Sequence, residues 1–412
     1  MIKPTKDLPE IYTLPSGLRI IHQKTKSLAG HFGFVFGIGS RDEQPDEHGL
    51  AHFVEHMLFK GTKKRTFKNI IDRIELVGGE LDAYTTKEFI VLNASFPNQY
   101  FNRGIELFSD IIFNSTFPEQ EIIKERNVVI EEIKMYKDTP SEHIFDMYDE
   151  LLFPNHPIGR NILGTEKSLR SFTYSSIKSF WNRALDPSRI VVCSAGKTSV
   201  EKIIDWVQAN LEKEFPQGAR CERQKPIPGE PFSILKKRNT HQNHCILGVD
   251  AYPAFDSRSM ALRILNSYLG GNSMNSRLNI LLRERHGLVY QIESFYNGYS
   301  DIGSWGVYFG CDHQNTDRCL SLVREELHKV AENSFSNKKL SEIKRQLIGQ
   351  MILDSENTQN IIFSKGKTLL LQNKIYTIGE LLEMIQQVTP NDVLKVAQDL
   401  FSKDRLSTLI LR

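Results

Sequence analysis

The sequence predicts an α+β protein of two homologous domains, each a mostly antiparallel β-sheet with helices packed on it. Three observations carry that reading. Strand-like runs rich in β-branched and aromatic residues alternate with helical patterns along the whole chain. "STFPEQEIIKERNVVIEEIKM" and "NSFSNKKLSEIKRQLIGQMIL" match in apolar positions when Phe117 is set against Phe335, which points to a duplicated unit. Between the halves lies "PQGARCERQKPIPGEP", a polar segment rich in Pro and Gly. With 412 residues there is length for more than one core. The expected domains are 1–215 and 232–412, joined by a linker over 216–231.

The elements follow in chain order. "EIYTL" and "LRIIHQK" flank the turn "PSG" as a hairpin. "HFGFVFGIG" reads as a strand and "SRDEQPDEH" as a polar loop. "GLAHFVEHMLFKGT" is the next helix, with Asp46 as its expected cap and Gly61 as its end. "NIIDRIELVGG" is helical to Gly78. "ELDAYTTKEFIVLNASF" is a β ribbon. "YFNRGIELFSDIIFN" is helical, as is the stretch from Pro118 to about Lys137.

Composition excludes several functions. The net charge is +2 with no long basic block, so neither nucleic acid nor an anionic membrane is expected as a partner. The N-terminal stretch lacks a signal-peptide apolar core, and no apolar run approaches a membrane span. A soluble, cytoplasmic protein is expected. Cys193, Cys221, Cys245, Cys311 and Cys319 are odd in number and lack CxxC spacing, so reduced thiols are expected.

His52, Glu55 and His56 carry the chemistry. An α-helix turns about 100° per residue, so all three lie within an arc of about 100°. One ion can then meet both imidazoles while Glu55 reaches a water on it. The order is H-x-x-E-H, the reverse of H-E-x-x-H. A catalytic zinc site usually has three protein ligands and one open position. In "ERNVVIEEIKM" the apolar face is Ile122, Val129 and Ile133. Glu131 lies about 200° from Val129, towards solvent, whereas Glu132 and Glu125 lie about 60° and 40° from it. A carboxylate turned inward needs a proton, a cation or a metal, which leaves Glu132 and Glu125 both open as third ligands. His48 reads as a loop or capping residue. "HQNHC", from His241 to Cys245, opens a strand in which neighbouring side chains diverge, and is not expected to hold metal. The second half has no histidine or glutamate at the corresponding helix start, and Gln350 stands opposite Glu132.

These residues, with "VGGELDAYTTKEF", "HPIGRNILGTEKSL" and "LGGNSMNSRL…LRERHGLVYQIES", resemble the pitrilysin/insulinase family of zinc metallopeptidases along nearly the whole chain. The likeness is to its short branch, which includes the mitochondrial processing peptidase β subunit. The resemblance implies one Zn2+ per chain on His52, His56 and Glu132, in a catalytic domain over 1–215. It makes Glu55 the general base and Glu125 a second glutamate beside the site. It makes Arg283 and Tyr290, in the second domain, contacts to the substrate carbonyl. It implies that the ribbon Asp82, Ala83, Tyr84 and Thr85 binds peptide, although Asp82 stands where the family often has asparagine. A zinc endopeptidase acting on peptides or unfolded segments inside a clamshell is therefore expected, as a homodimer with composite sites. A heterodimer with a zinc-less homologue is the alternative assembly, and a non-catalytic scaffold or partner subunit of a processing-peptidase-like complex the alternative role. A carboxylate–histidine di-iron protein would instead need Glu-x-x-His motifs on paired bundle helices.

Overall fold

The structure, a computed structural model, describes residues 8–211, 215, 222–271 and 273–412. Two compact units result. The first takes residues 1–134, 160–223 and 355–377; the second takes 135–159, 224–354 and 378–412. They differ from contiguous halves by two exchanged segments. Within the expected linker, residues 216–221 lie outside the described residues, Cys221 among them; 222–231 form neither helix nor strand.

The first unit's strands are β1 (Glu10–Thr13), β2 (Arg19–Lys24), β3 (Ala29–Phe36), β4 (Glu80–Thr85), β5 (Ile90–Pro97) and β6 (Ile190–Gly196). Their order is β1-β2-β6-β3-β5-β4, which makes β4 an edge strand with a free outer side among the described residues. Only the β2–β6 pair is parallel. The hairpin across "PSG" and the ribbon β4–β5 form where the sequence places them. The second unit's strands are β7 (Ser233–Lys236), β8 (Asn243–Ala251), β9 (Val289–Gly298), β10 (Gly303–Cys311) and β11 (Ser407–Leu411), in the order β7-β11-β8-β10-β9, with β7–β11 the parallel pair. Without β1, the first sheet maps strand for strand onto the second, so the duplication read from the sequence extends to topology.

The helices are α1 (Leu50–Leu58), α2 (Phe67–Glu75), α3 (Phe101–Asn114), α4 (Glu119–Lys137), α5 (Pro140–Leu152), α6 (Glu166–Ser171), α7 (Tyr174–Ala184), α8 (Val200–Leu211), α9 (Ser259–Gly270), α10 (Thr316–Glu332), α11 (Asn337–Asp354), α12 (Thr358–Gln372), α13 (Ile378–Gln387) and α14 (Pro390–Leu400). Central strands bury both faces. On β3, Phe32, Phe34 and Phe36 join the core with α1, α3 and α7, while Val35 faces the other way. That other face, with Val91, Val191 and Cys193, is covered by Ile362, Phe363 and Leu369 of α12. In the second unit the same role falls to α5, whose Ile144, Tyr148 and Leu152 pack with Ile246 and Tyr308.

Candidate metal centre

Helix α1 starts at Leu50 after Gly49, which has φ +92°. Only glycine adopts that conformation cheaply, and a Cβ there would stand 2.7 Å from Gly164 Cα. The cap expected from Asp46 is supplied by Glu43 instead. Its two carboxylate oxygens accept the backbone N–H groups of Gly49 and Ala51 at 3.0 and 2.9 Å, while Asp46 is exposed. A glutamate six residues before Gly49 fits no local capping signature. The helix also stops at Leu58, short of Gly61. Leu50, Phe53, Val54, Met57 and Leu58 anchor α1 in the core, which turns His52, Glu55 and His56 towards α4 and β4.

Helix α4 buries Ile122, Val129 and Ile133. Glu125, on the same side, is 6% exposed. Glu132 is partly buried, whereas Glu131 lies in solvent and pairs with Lys134 at 2.7 Å. His52, His56 and Glu132 each offer one ligand atom, all mutually within 4.8 Å, the only such group among the described residues. His52 Nε2 lies 3.8 Å from Glu132 Oε1, and His56 Nε2 lies 3.8 Å from Glu132 Oε2. Tetrahedral zinc with bonds of about 2.0–2.2 Å wants donors about 3.3–3.6 Å apart. The donor types and spacing therefore fit zinc after small closing movements.

The three donors differ in protonation. Burial and the neighbouring His56 pull His52 down to about 3, so its imidazole is neutral at neutral pH. Its Nδ1 is buried without a hydrogen-bond partner, leaving Nε2 as the nitrogen in contact with the site. His56 behaves differently. Burial lowers its pKa, but the Glu125 hydrogen bond and the charges of Glu55, Glu132 and Glu125 outweigh burial and raise it. His56 Nδ1 donates to Glu125 Oε2 at 3.0 Å, which leaves Nε2 to face the trio. Glu125 takes Lys60 on its other oxygen at 2.5 Å. Burial would raise Glu125, but His56 and Lys60 together hold it below the usual carboxylate range. Burial raises Glu132.

Glu55 is not in the trio. Its Oε2 accepts a hydrogen bond from Thr85 Oγ1 at 2.6 Å. Burial raises its pKa, and Thr85 recovers part of that shift. The ribbon residues split between the faces of β4. Leu81 and Ala83 pack into the core with α1, and Thr85 shares their side. Tyr84 lies on the other face, under Lys367 of α12 at 4.9 Å. Asp82 is exposed and accepts from Asn93 Nδ2 at 3.4 Å. In the second unit, Arg283 sits in a π-helical turn, Asn279–Arg285, with its guanidinium 5.5 Å from the ring of Tyr290. Tyr290 is 81% exposed. His48 binds the Asn161 carbonyl at 3.0 Å, and His244 binds Tyr308 at 2.9 Å. The bonds of Lys60 and Thr85 escape sequence reasoning, although strand alternation with Ala83 does turn Thr85 towards α1.

Two histidines and a carboxylate on two helices, with a second carboxylate beside them, form a donor set that could hold a metal ion. Comparison with known proteins identifies the family. Residues 19–166 match the family model for insulinase (peptidase family M16), and residues 171–347 match that for the peptidase M16 inactive domain. An uncharacterised zinc protease of Streptomyces coelicolor is 33% identical over 400 residues, which is 95% of this chain and 87% of that protein. The uncharacterised zinc protease YmxG of Bacillus subtilis is 33% identical, with 97% of each chain covered. A protease from Helicobacter pylori shares the fold with a TM-score of 0.89 at 20% identity, covering 98% of this chain and all of that one. The chain belongs to the insulinase family, peptidase family M16. No helix among the described residues is long and apolar enough to cross a membrane.

Proposed function

We propose that the chain is a zinc endopeptidase acting on extended peptides or unfolded segments. The convergence of His52, His56 and Glu132 donor atoms within 4.8 Å carries the reading. These three residues would hold one Zn2+. When bound, zinc polarises the scissile carbonyl and lowers the pKa of its water.

The remaining work falls to side chains. Glu55 takes the proton of the attacking water and passes it to the leaving amine. Glu125 holds His56 in the tautomer whose Nε2 is free. The free edge of β4 offers backbone groups for pairing with an extended peptide, which favours unfolded segments over folded ones. Asp82 and Ala83 flank that peptide, and Tyr84 contributes its backbone, its ring lying partly buried under Lys367. Arg283 and Tyr290 stabilise the developing oxyanion of a neighbouring chain's site, in a homodimer of cytoplasmic location.

Metal analysis combined with a cleavage assay on wild type and Glu55→Gln tests this. Bound zinc is expected in both proteins, with cleavage reduced by about 10²–10⁴-fold in the variant. Equal cleavage by the two proteins sinks the assignment of the base. For the composite site, mixed Glu55→Gln and Arg283→Ala chains should recover activity that neither has alone.

A further inference from the structure

We propose that Thr85 is the positioning residue that holds Glu55 in its working orientation, tying the general base to the strand on which peptide docks. The inference rests on the peptidase reading above. Thr85 Oγ1 donates to Glu55 Oε2 at 2.6 Å, within the range of a charge-assisted hydrogen bond. Glu55 enters from α1 and Thr85 from the last residue of β4, so this bond joins a helix to the free edge of the sheet.

The backbone next to Thr85 is itself held in place. The turn after Thr85 closes through Thr86 N to Phe89 O at 2.7 Å and Phe89 N to Thr86 Oγ1 at 3.0 Å. Two further backbone bonds fasten the turn from outside: Ser40 N to Thr86 O at 3.1 Å and Arg41 N to Lys87 O at 2.9 Å. Arg41 meets Glu88 at 2.7 Å. Arg223 binds both oxygens of Asp42, at 2.9 and 2.8 Å, and reaches Glu88 at 3.1 Å. Arg41, Asp42 and Glu88 are all buried. Buried ion pairs contribute little net stability because desolvation offsets their attraction. Their effect is geometric: a fixed turn holds the backbone from which the Thr85 side chain reaches Glu55. A peptide pairing with β4 would stiffen the same strand and thereby the base.

The test uses Thr85→Val, which removes the donor but suits a strand, and Thr85→Ser, which restores it. Crystal structures of the two variants read orientation without catalysis. Glu55 is expected to leave its present position or split between rotamers in the valine protein and to return in the serine protein. A single unchanged Glu55 conformer in Thr85→Val overturns the proposal. In zinc-loaded protein cleaving fluorescein-labelled β-casein, kcat is expected to fall about 10- to 100-fold with KM within about twofold, and serine to recover most of it. A valine kcat equal to wild type, with Glu55→Gln inactive, also overturns it. If wild type and Glu55→Gln are equally inactive, the peptidase reading fails, and the crystal comparison still decides the positioning role. Should valine lower the melting temperature sharply, Thr85→Ala supplies the second donorless side chain for the same measurements.

Discussion

Adjacent glutamates on one helix have opposite surroundings. Glu131 is 72% exposed and pairs with Lys134, while Glu132 turns to two imidazoles. That difference was legible in the sequence because both residues share one helix, and helical phase alone orients them. The Thr85–Glu55 bond was not legible, since it depends on which strand ends beside α1. The same holds for Lys60 on Glu125. Two outcomes follow at this scale. Glu132→Gln should abolish zinc retention, while Glu131→Gln should leave it unchanged, as dialysis followed by metal analysis will show. Glu125→Gln should keep zinc but weaken it by about 10- to 100-fold, because a neutral amide oxygen is a weaker acceptor for His56 Nδ1–H than the carboxylate and its NH2 group cannot accept from Lys60. Competition with a chromophoric chelator measures this, and an unchanged affinity removes Glu125 from the site.

At the scale of elements, the sequence located α1 to α4, α11 through the repeat, and the hairpins β1–β2 and β4–β5, because these follow from local periodicity and turn chemistry. It missed what distant side chains supply. Glu43 caps α1 across a loop, and the parallel β2–β6 pair joins strands separated by most of a unit. Another such tie fastens α3 to the segment after α1. Asp110 accepts from Thr62 and Arg65 at 2.7 and 2.6 Å and from Asn114 at 2.9 Å. Burial alone would raise its carboxyl, but these partners hold it below its ordinary value. A depressed folded pKa stabilises the fold above the unfolded value of about 3.9 and loses that stabilisation as pH falls through the folded value. Asp110→Asn should therefore cost on the order of 2–3 kcal/mol at pH 7 and lose less further stability between pH 4 and 2 than wild type. Urea midpoints across that range check the difference in slope; parallel curves for the two proteins contradict it.

For the whole molecule, the duplication and the exchange of segments point in different directions. The repeat suggests two independent halves, and the strand orders confirm two equivalent sheets. Yet the first unit is completed by 355–377, which follows most of the second unit in the chain. The reason is surface coverage. One face of the first sheet carries Ile21, Val35, Val91, Val191 and Cys193, and the apolar side chains that cover it come from α12. Gly366 of α12 lies so close to Cys193 that a Cβ there would collide with its sulfur. Full burial of a side chain such as Ile362, Phe363 or Leu369 is worth about 1.5–3 kcal/mol, comparable in sum to the net stability of a typical domain. Residue patterning shows that a β-strand is buried on both faces but not which segment covers it, so this partner was invisible in the sequence. A fragment of residues 1–223 should accordingly expose an apolar sheet face, bind a hydrophobic dye and aggregate. The same fragment with residues 355–377 fused through a flexible linker should fold cooperatively and retain the zinc trio. Cooperative thermal unfolding of 1–223 alone, without dye binding, would show that α12 is dispensable and that the contiguous half is the folding unit after all.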